Sequence, residues 1–254
     1  MTNVKIVGKP KSFAAKTITK EAEIPVYKGD DRTELLINYG LAGAKFDNFL
    51  SKYPLANSIP TLNKYIGCSK LQAVREAETA GVRVPESRTT LPLFCKKSDW
   101  IEKKLQSSKG IGIVEATKRV SIPGKYYQKK IDRKYELRVH AFKWVPKEGW
   151  HVHKRLGSPD KIAWNFHQGG KFKTVRTPQR FDVFRNAVDI SETILKIRKM
   201  SFGAVDFLVT PENEVYFIEI NSSPGFTELS KHIYVDAFSA LKTMTLKEAI
   251  KVAI

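Results

Sequence analysis

The sequence contains little cysteine and no long apolar run. Its two cysteines, Cys68 and Cys95, are too few for a disulfide framework and do not have a metal-ligand spacing. No hydrophobic stretch approaches the ~20 residues of a membrane-spanning helix, and the first residues lack the apolar core of a secretory signal. These absences predict a protein of the reducing cytoplasm in which both thiols are buried and inert.

Two common signatures of phosphate-binding enzymes are missing as well. The chain has no Gly-x-x-x-x-Gly-Lys-Ser/Thr loop, and it has neither the His-Arg-Asp nor the Asp-Phe-Gly sequence of protein kinases. The sequence is therefore not that of a P-loop NTPase or a protein kinase. Any nucleotide site must be built from other elements.

Positive charge is abundant and unevenly placed. The chain carries 44 Lys and Arg against 26 Asp and Glu, a formal net charge of +18. Residues 125–155 hold ten of the bases and three acids, whereas residues 201–228 hold five acids and no base. A basic segment attracts anions, so ATP, an acidic substrate or nucleic acid is expected as a partner. A solubilising surface is the alternative.

Strand-like and helix-like segments alternate along the chain. Strands are predicted over residues 35–40, 82–84, 100–105, 113–114, 125–131 and 136–145, and helices over 44–53, 69–80, 182–200 and 234–254. Ser69 is a candidate N-cap. This mixed order, with several antiparallel strand pairs, favours an α+β fold with two lobes.

Three oxygen-bearing side chains occur in two apolar segments near the C-terminal end of the sequence. Asp206 lies in the first segment, and Glu219 and Asn221 lie two residues apart in the second. Strand residues two apart share a face, and a turn centred on residues 212–213 would place Asp206 opposite Glu219. The hairpin therefore predicts a Mg²⁺ site that also holds nucleotide phosphates.

Burial supports this interpretation of the hairpin. Val215 and Phe217 are expected to share a face with Glu219, and a buried carboxylate needs a partner. A solvated strand face is the alternative. A second weak signal is the Ser-Ser-Lys-Gly-Ile-Gly loop at residues 107–112, which follows Lys103 and could supply backbone N–H groups to phosphates. Taken alone, this loop is more typical of a plain hairpin turn.

Taken in series, these motifs resemble those of ATP-grasp carboxylate–amine ligases, most closely the RimK-type glutamate ligases. The matching segments, within about residues 60–230, are Lys70 with its helix, Ile-Glu-Lys103, the loop at 107–113, Gln128-Lys-Lys-Ile131, Glu136-Leu-Arg138, Lys154-Arg155, Asn165 with Gly169-Gly170, and the hairpin ending in Ser-Ser-Pro-Gly225. The resemblance implies the ATP-grasp fold, an α+β fold in which two lobes hold ATP between them. It divides the chain into a reduced N-terminal region (1–60), an N-lobe with the glycine loop (61–125) and a C-lobe with the metal site (126–254).

The resemblance also implies roles for individual residues. ATP would be bound by Lys70, Lys103, Ser108, Lys109, Gly110, Gly112, Gln128, Lys130 and Ile131. Mg²⁺ or Mn²⁺ would be held by Asp206, Glu219 and Asn221. Arg155, Arg138 and Asn165 would lie at the reacting groups. The adjacent Lys104 leaves the position of the second ATP lysine open by one residue.

In such ligases a carboxylate attacks the γ-phosphate of ATP, and an amine then attacks the acyl phosphate to form an amide. The carboxylate and the amine are not identified by the sequence. Two alternatives are an ATP-grasp phosphotransferase and a basic nucleic-acid-binding protein on the same scaffold. In the second alternative, or in a ligase acting on an anionic polymer, the basic segment 125–185 would bind the polymer. The short N-terminal region and the positive charge would suit a compact phage-encoded member.

Several of these residues also have plainer interpretations. Arg138 could equally pair with Glu136 or another surface acid, and Arg155 could belong to a basic face. His151 and His153 lie two apart on a strand, which is too few ligands for a metal site. Both histidines are predicted to lie on the surface.

Overall fold

The computed structural model describes residues 1–8, 12–30, 32–64, 66–67, 69–106, 112–158, 162, 164, 170–175, 180–226 and 228–253. Its strands are β1 (Val4–Gly8), β2 (Leu35–Tyr39), β3 (Thr61–Leu62), β4 (Ser87–Arg88), β5 (Trp100–Lys104), β6 (Val114–Glu115), β7 (Lys125–Lys129), β8 (Tyr135–Phe142), β9 (His151–Leu156), β10 (Lys171–Val175), β11 (Phe202–Val209) and β12 (Val215–Asn221). Its helices are α1 (Phe13–Glu21), α2 (Ala44–Lys52), α3 (Lys70–Thr79), α4 (Asp182–Ile197), α5 (Glu228–Thr243) and α6 (Leu246–Ala253). No helix in these ranges is both long and apolar enough to cross a membrane.

The first sheet is small and parallel, in the order β1-β2-β3. Its strands are apolar on both faces, as expected of a parallel sheet covered on both sides. One face shares a core with α5, where Ile37 and Tyr39 join Phe202 and Phe238 in a single cluster of buried side chains. The first sixty residues therefore pack on the later part of the chain. The domain boundaries at residues 60 and 125 remain predictions.

The other two sheets are antiparallel and supply the two lobes. One has the order β4-β7-β5-β6, and the larger has the order β10-β9-β8-β11-β12. Strand alternation on β5 buries Lys103 and exposes Lys104. On the larger sheet one face packs against α4 through residues such as Leu137 and Val205. The opposite face carries most of the charged side chains described below.

A bulge divides the hairpin of β11 and β12. Asp206 pairs with Glu219, but the next residue, Phe207, pairs with Phe217, so that Ile218 is an extra residue on β12. Because a bulge adds one residue to the strand, side chains beyond it point to the opposite face from the one that simple alternation would give. Phe217 consequently lies in the apolar core, while Glu219 joins Asp206 on the opposite face.

Most predicted elements are confirmed, with two exceptions. Residues 82–84 do not form a strand, because the Val82 N–H donates to the Ala77 carbonyl and closes the C-terminal end of α3 around Gly81. The helix predicted over 234–254 begins earlier and divides in two. It divides because Thr245 and Glu248 form a reciprocal capping box that starts α6.

Gly40 connects the first sheet to the loop after β12. Its φ is +93°, and an added Cβ would lie 2.5 Å from the Ser223 Oγ. We expect Gly40→Ala to lower the free energy of unfolding by about 2–3 kcal/mol, since backbone strain and a steric clash both contribute. Gly81→Ala is the matched control, because Gly81 also has a positive φ (+76°) but nothing near its Cβ position. Urea unfolding measures both, and equal losses would contradict the contact with Ser223.

Candidate active site

A bidentate ion pair lies at the centre of the charged face. The Arg138 Nε and Nη2 donate to Asp206 Oδ1 and Oδ2, each at 2.7 Å. Burial alone would raise the pKa of Asp206, but the charge and hydrogen bonds of Arg138 hold that pKa below its usual value. The alternative pairing of Arg138 with Glu136 is wrong, because Arg138 lies opposite Asp206 in the register of β8 and β11.

The two other predicted metal ligands lie beside Asp206. Glu219 Oε2 is 2.6 Å from the Lys70 Nζ, and the Asn221 Nδ2 is 3.3 Å from Glu219 Oε1. Lys70 is fixed at the start of α3, where Ser69 caps the helix as predicted, and its N–H donates to the Leu105 carbonyl. One of the two predicted ATP lysines therefore contacts a predicted metal ligand.

The second predicted lysine, Lys103, reaches this region from the other antiparallel sheet. It is 4% exposed, and its Nζ donates to the Gln128 Oε1 at 3.0 Å. Burial lowers the pKa of Lys103 to about 8, partly opposed by the charge of Glu219. Lys104 instead lies outward, and its side chain passes the position that a Cβ on Gly112 would occupy. The geometry therefore favours Lys103 over Lys104.

This choice of lysine gives a direct test. We expect Lys103→Met to weaken Mg·ATP binding by tenfold or more, since a charge-assisted hydrogen bond to phosphate is worth roughly 1.5–3 kcal/mol. Lys104→Met is the matched control and should change the dissociation constant less than twofold. Isothermal titration calorimetry with a non-hydrolysable ATP analogue measures both. The reverse ranking would move the phosphate lysine to Lys104.

Arg155 is buried rather than part of a basic surface. It is 7% exposed, and its Nη1 lies 2.7 Å from Glu136 Oε2. Its guanidinium carbon lies 4.7 Å from the centre of the Phe172 ring, and its Nη2 is 3.8 Å from Asp206. A second arginine, Arg133, also reaches Glu136 at 3.2 Å. Arg155 is thus oriented by Glu136 and Phe172, at the side of Asp206.

The remaining predicted ATP residues divide into two groups. Ser108, Lys109 and Gly110, together with the predicted reacting-group residue Asn165, lie outside the described residues. Gln128 contacts Lys103, whereas Lys130 forms an ion pair with Glu115. The Lys130 N–H already donates to the Asp99 carbonyl at 2.7 Å, and Ile131 is half-buried. The adenine-contacting role of this segment stays a prediction.

A buried histidine cluster was not predicted. The His140 Nδ1 lies 2.5 Å from the Tyr234 hydroxyl, and the His140 Nε2 lies 3.3 Å from the His153 Nδ1. His153 is 5% exposed, so its predicted surface position is wrong. Burial, with smaller effects from His151 and Arg138, lowers the pKa of His153 to about 4. Both rings of the pair are therefore neutral near pH 7, since burial also lowers the pKa of His140.

Much of the positive charge of residues 125–155 is paired with acids, either with Glu136 inside the segment or with acids elsewhere in the fold. Besides the ion pairs of Arg133, Arg138 and Arg155, Lys125 lies 2.5 Å from Glu102 and Lys147 lies 2.8 Å from Asp189. Residues of this segment thus help to assemble the site, which weakens the case for a separate polymer-binding surface.

The predicted metal ligands suit a hard cation. Two carboxylates and one amide offer oxygen atoms, which Mg²⁺ prefers. Within the described ranges no group of three or more His, Cys, Asp or Glu side chains is arranged to hold a metal ion. Asp206 and Glu219 are instead paired with cationic side chains, so phosphate oxygens and water would have to complete an octahedral shell. Such incomplete protein coordination is usual for Mg²⁺ bound together with a nucleotide.

Comparison with known proteins gives one family match and several similar folds. The family model "D-ala D-ala ligase C-terminus" matches residues 179–250, which contain all three predicted metal ligands. No curated protein matches the chain in sequence.

Three solved structures illustrate the similarity in fold. The ATP-grasp ligase PsnB complexed with a minimal precursor has a TM-score of 0.65 at 13% identity, covering 94% of this chain and 99% of PsnB. The macrocyclase MdnC from Microcystis aeruginosa, bound to the precursor peptide MdnA, has a TM-score of 0.59 at 15% identity (95% and 99% covered). The D-alanine–D-alanine ligase from Bacillus anthracis, complexed with ATP, has a TM-score of 0.61 at 15% identity (98% and 97% covered). The chain therefore has the ATP-grasp fold, which confirms the predicted fold class.

Proposed function

We propose that this protein is an ATP-dependent ligase of the RimK-like type that activates a carboxylate as an acyl phosphate and joins it to an amine, releasing ADP and phosphate. One observation carries the proposal. Lys70 and Lys103 converge from two elements on the hairpin that bears Asp206 and Glu219. Two arginines lie on the far side of Asp206. Such an arrangement can hold a triphosphate and a second anion side by side.

The reaction requires two anions to meet, and the charged groups address that repulsion. Lys70 and Lys103 would bind phosphate oxygens. Arg155 would hold the carboxylate, because its guanidinium is fixed by Phe172 and Glu136 while still reaching toward Asp206. Asp206, Glu219 and Asn221 would hold Mg²⁺, which when bound supplies charge neutralisation at the transferred phosphoryl group. Catalysis would rest on positioning and electrostatics.

Lys70 would change partners when the nucleotide binds. In the structure Lys70 and Arg138 neutralise the carboxylates that would ligate Mg²⁺. A buried carboxylate without a partner is costly, so these ion pairs stabilise the site before the metal arrives. On binding, the Lys70 ammonium would transfer from Glu219 to phosphate.

The test is product analysis with trapping. The protein is incubated with Mg·ATP and pools of amino acids and acidic peptides, and hydroxylamine serves as a general amine. We expect ADP release that depends on a carboxylate, together with a hydroxamate that reports the acyl phosphate. ADP release with a phosphorylated product that does not react with hydroxylamine would instead support a phosphotransferase. Glu219→Gln is the control for contaminating ATPases.

Peptides belong in the pools for a specific reason. PsnB and MdnC are similar to this chain in fold, and each was solved in complex with a precursor or precursor peptide. Here a peptide carboxylate is one candidate among several. If only free amino acids support turnover, the peptide class is excluded.

A further inference from the structure

Two buried nitrogen atoms on β9 have no hydrogen-bond partner in the described part of the chain. They are the Nε2 of His153 and the Nε of Arg155, and each side chain is more than nine-tenths buried. A buried polar atom without a partner costs about 1–3 kcal/mol, and proteins tend to keep such atoms where a ligand satisfies them. His153 and Arg155 are two residues apart on one strand, so their side chains share a face and their Cα atoms are about 6.6 Å apart.

The hydrogen-bond chain behind His153 determines what its Nε2 can do. The rings of His140 and His153 are neutral near pH 7, so each carries one proton. If the Tyr234 hydroxyl donates to the His140 Nδ1, then the His140 Nε2–H donates to the His153 Nδ1, and the His153 Nε2 carries the proton. In the opposite direction the buried Tyr234 O–H would have no acceptor among the described residues, at a similar cost in free energy. The first direction makes the His153 Nε2 a donor.

The register of the larger sheet relates this donor to the predicted metal ligand Asp206. His153 lies directly opposite Arg138 in the register of β8 and β9, and Arg138 lies opposite Asp206 in the register of β8 and β11. Across the sheet the order is therefore metal ligand, arginine, histidine. Arg155 Nε–H, always a donor, lies two residues along the strand from His153.

We propose that the His153 Nε2–H and the Arg155 Nε–H together bind the substrate carboxylate, at the oxygen that does not attack ATP. This inference rests on the proposed ligase function and adds His153 to its site. The other carboxylate oxygen attacks the γ-phosphorus, an O–P bond forms, and ADP leaves with the electron pair of the broken P–O bond. The amine nitrogen then bonds to the acyl carbon, the C–O bond breaks, and phosphate leaves and takes the amine proton. Negative charge that develops on the held oxygen is stabilised by the two donors, and His153 keeps its proton throughout.

Tyr234 and His140 act as positioning residues, because they fix the tautomer of His153 without touching the substrate. The tautomer is measurable without any activity, by ¹⁵N NMR of histidine-labelled protein. We expect the His140 Nδ1 and His153 Nδ1 to be unprotonated and both Nε2 atoms to be protonated. Tyr234→Phe removes the donor and should shift both rings toward the Nδ1–H form. A wild-type His153 protonated on Nδ1 would overturn the proposal.

Kinetics test the contact itself. With hydroxylamine as the amine and the carboxylate from product analysis as the varied substrate, we expect His153→Leu to raise the KM for that carboxylate by about 10–100-fold, the usual range for a hydrogen bond to a charged group. The KM for ATP should change less than twofold. His153→Gln, whose amide N–H can replace the imidazole donor, should return the KM for the carboxylate most of the way to the wild-type value. The exposed His232 supplies the control His232→Gln, which should behave as wild type.

The outcomes distinguish failure of the carboxylate contact from failure of the ligase function. Carboxylate-dependent turnover that is unchanged in His153→Leu would overturn the carboxylate contact and leave the ligase function standing. Absence of carboxylate-dependent turnover in the wild type would overturn both. If His153→Leu fails to fold, Tyr234→Phe still decides the matter, because it should raise the same KM by several-fold, and an unchanged KM would contradict the proposal.

Discussion

Replacing Glu219 with glutamine is expected to reduce ATP turnover at least a thousandfold, which corresponds to about 4 kcal/mol of transition-state stabilisation. The substitution keeps the size of the side chain but removes one of the two carboxylates at the predicted metal site. It also breaks the 2.6 Å ion pair with Lys70, so the lysine no longer has a fixed position before the nucleotide binds. The rate of ADP formation at saturating Mg·ATP measures the effect.

Glu214 provides the matched control for Glu219. It lies in the same hairpin, but it pairs with the exposed Arg83 and not with Lys70. Glu214→Gln should retain turnover within about twofold, and melting curves for both variants would show whether the fold is intact. Normal turnover by a folded Glu219→Gln variant would remove Glu219 from the metal site.

Arg138→Leu is expected to lower the free energy of unfolding by about 3–5 kcal/mol, in addition to abolishing turnover. Removing one partner of a buried ion pair leaves the other charge uncompensated. Among the described residues, Asp206 would keep the 3.8 Å approach of Arg155 and the more distant charge of Lys70. Urea unfolding at neutral pH measures the loss.

An exposed ion pair of the same type gives the comparison for Arg138. Arg83 lies 2.8 Å from Glu214, but both side chains are largely exposed. Such pairs contribute about 0–1 kcal/mol, so Arg83→Leu should cost little. Similar losses for the two variants would show that Asp206 is not buried as a charge. The double variant Arg138→Leu/Asp206→Leu should recover part of the stability, because no charge then remains unpaired.

The pairing of Asp206 with Glu219 could be predicted from the sequence, because two unexpected features of the hairpin compensate for each other. A two-residue turn was expected, but the Thr210 N–H bonds to the Glu214 carbonyl, which shifts the pairing by one residue. The bulge at Ile218 shifts it back. No turn residue or glycine marks the position of the bulge in this apolar strand. Sequence alone therefore predicts regular alternation of faces along its whole length.

The same bulge reverses the face predicted for Val215 and Phe217. Val215 and Phe217 do not share the face of Glu219; they lie in the apolar core behind it. Burial of the hairpin was inferred correctly from its composition, but the face was not. Register in a strand depends on tertiary pairing that local sequence does not encode.

The histidine cluster illustrates a different limit of the sequence. His140 and Tyr234 are 94 residues apart and meet only when α5 packs on the larger sheet. A histidine between strand residues carries the same local signal whether its face is buried or solvated. By contrast, the predicted ATP lysines came from ordered motifs, and the structure brings Lys70 and Lys103 to the same charged region.

The contact between the first strand and the last helices has a consequence for how the chain folds during synthesis. The Thr2 N–H donates to the Lys242 carbonyl, and Val4 shares its core with Leu241. The β1 segment therefore lacks the part of its packing that α5 supplies until more than two hundred further residues have left the ribosome. Since emerging chains fold as units once their contacts are available, the apolar side chains of β1 and β2 that pack against α5 must stay uncovered, or bound by a chaperone, for most of that interval.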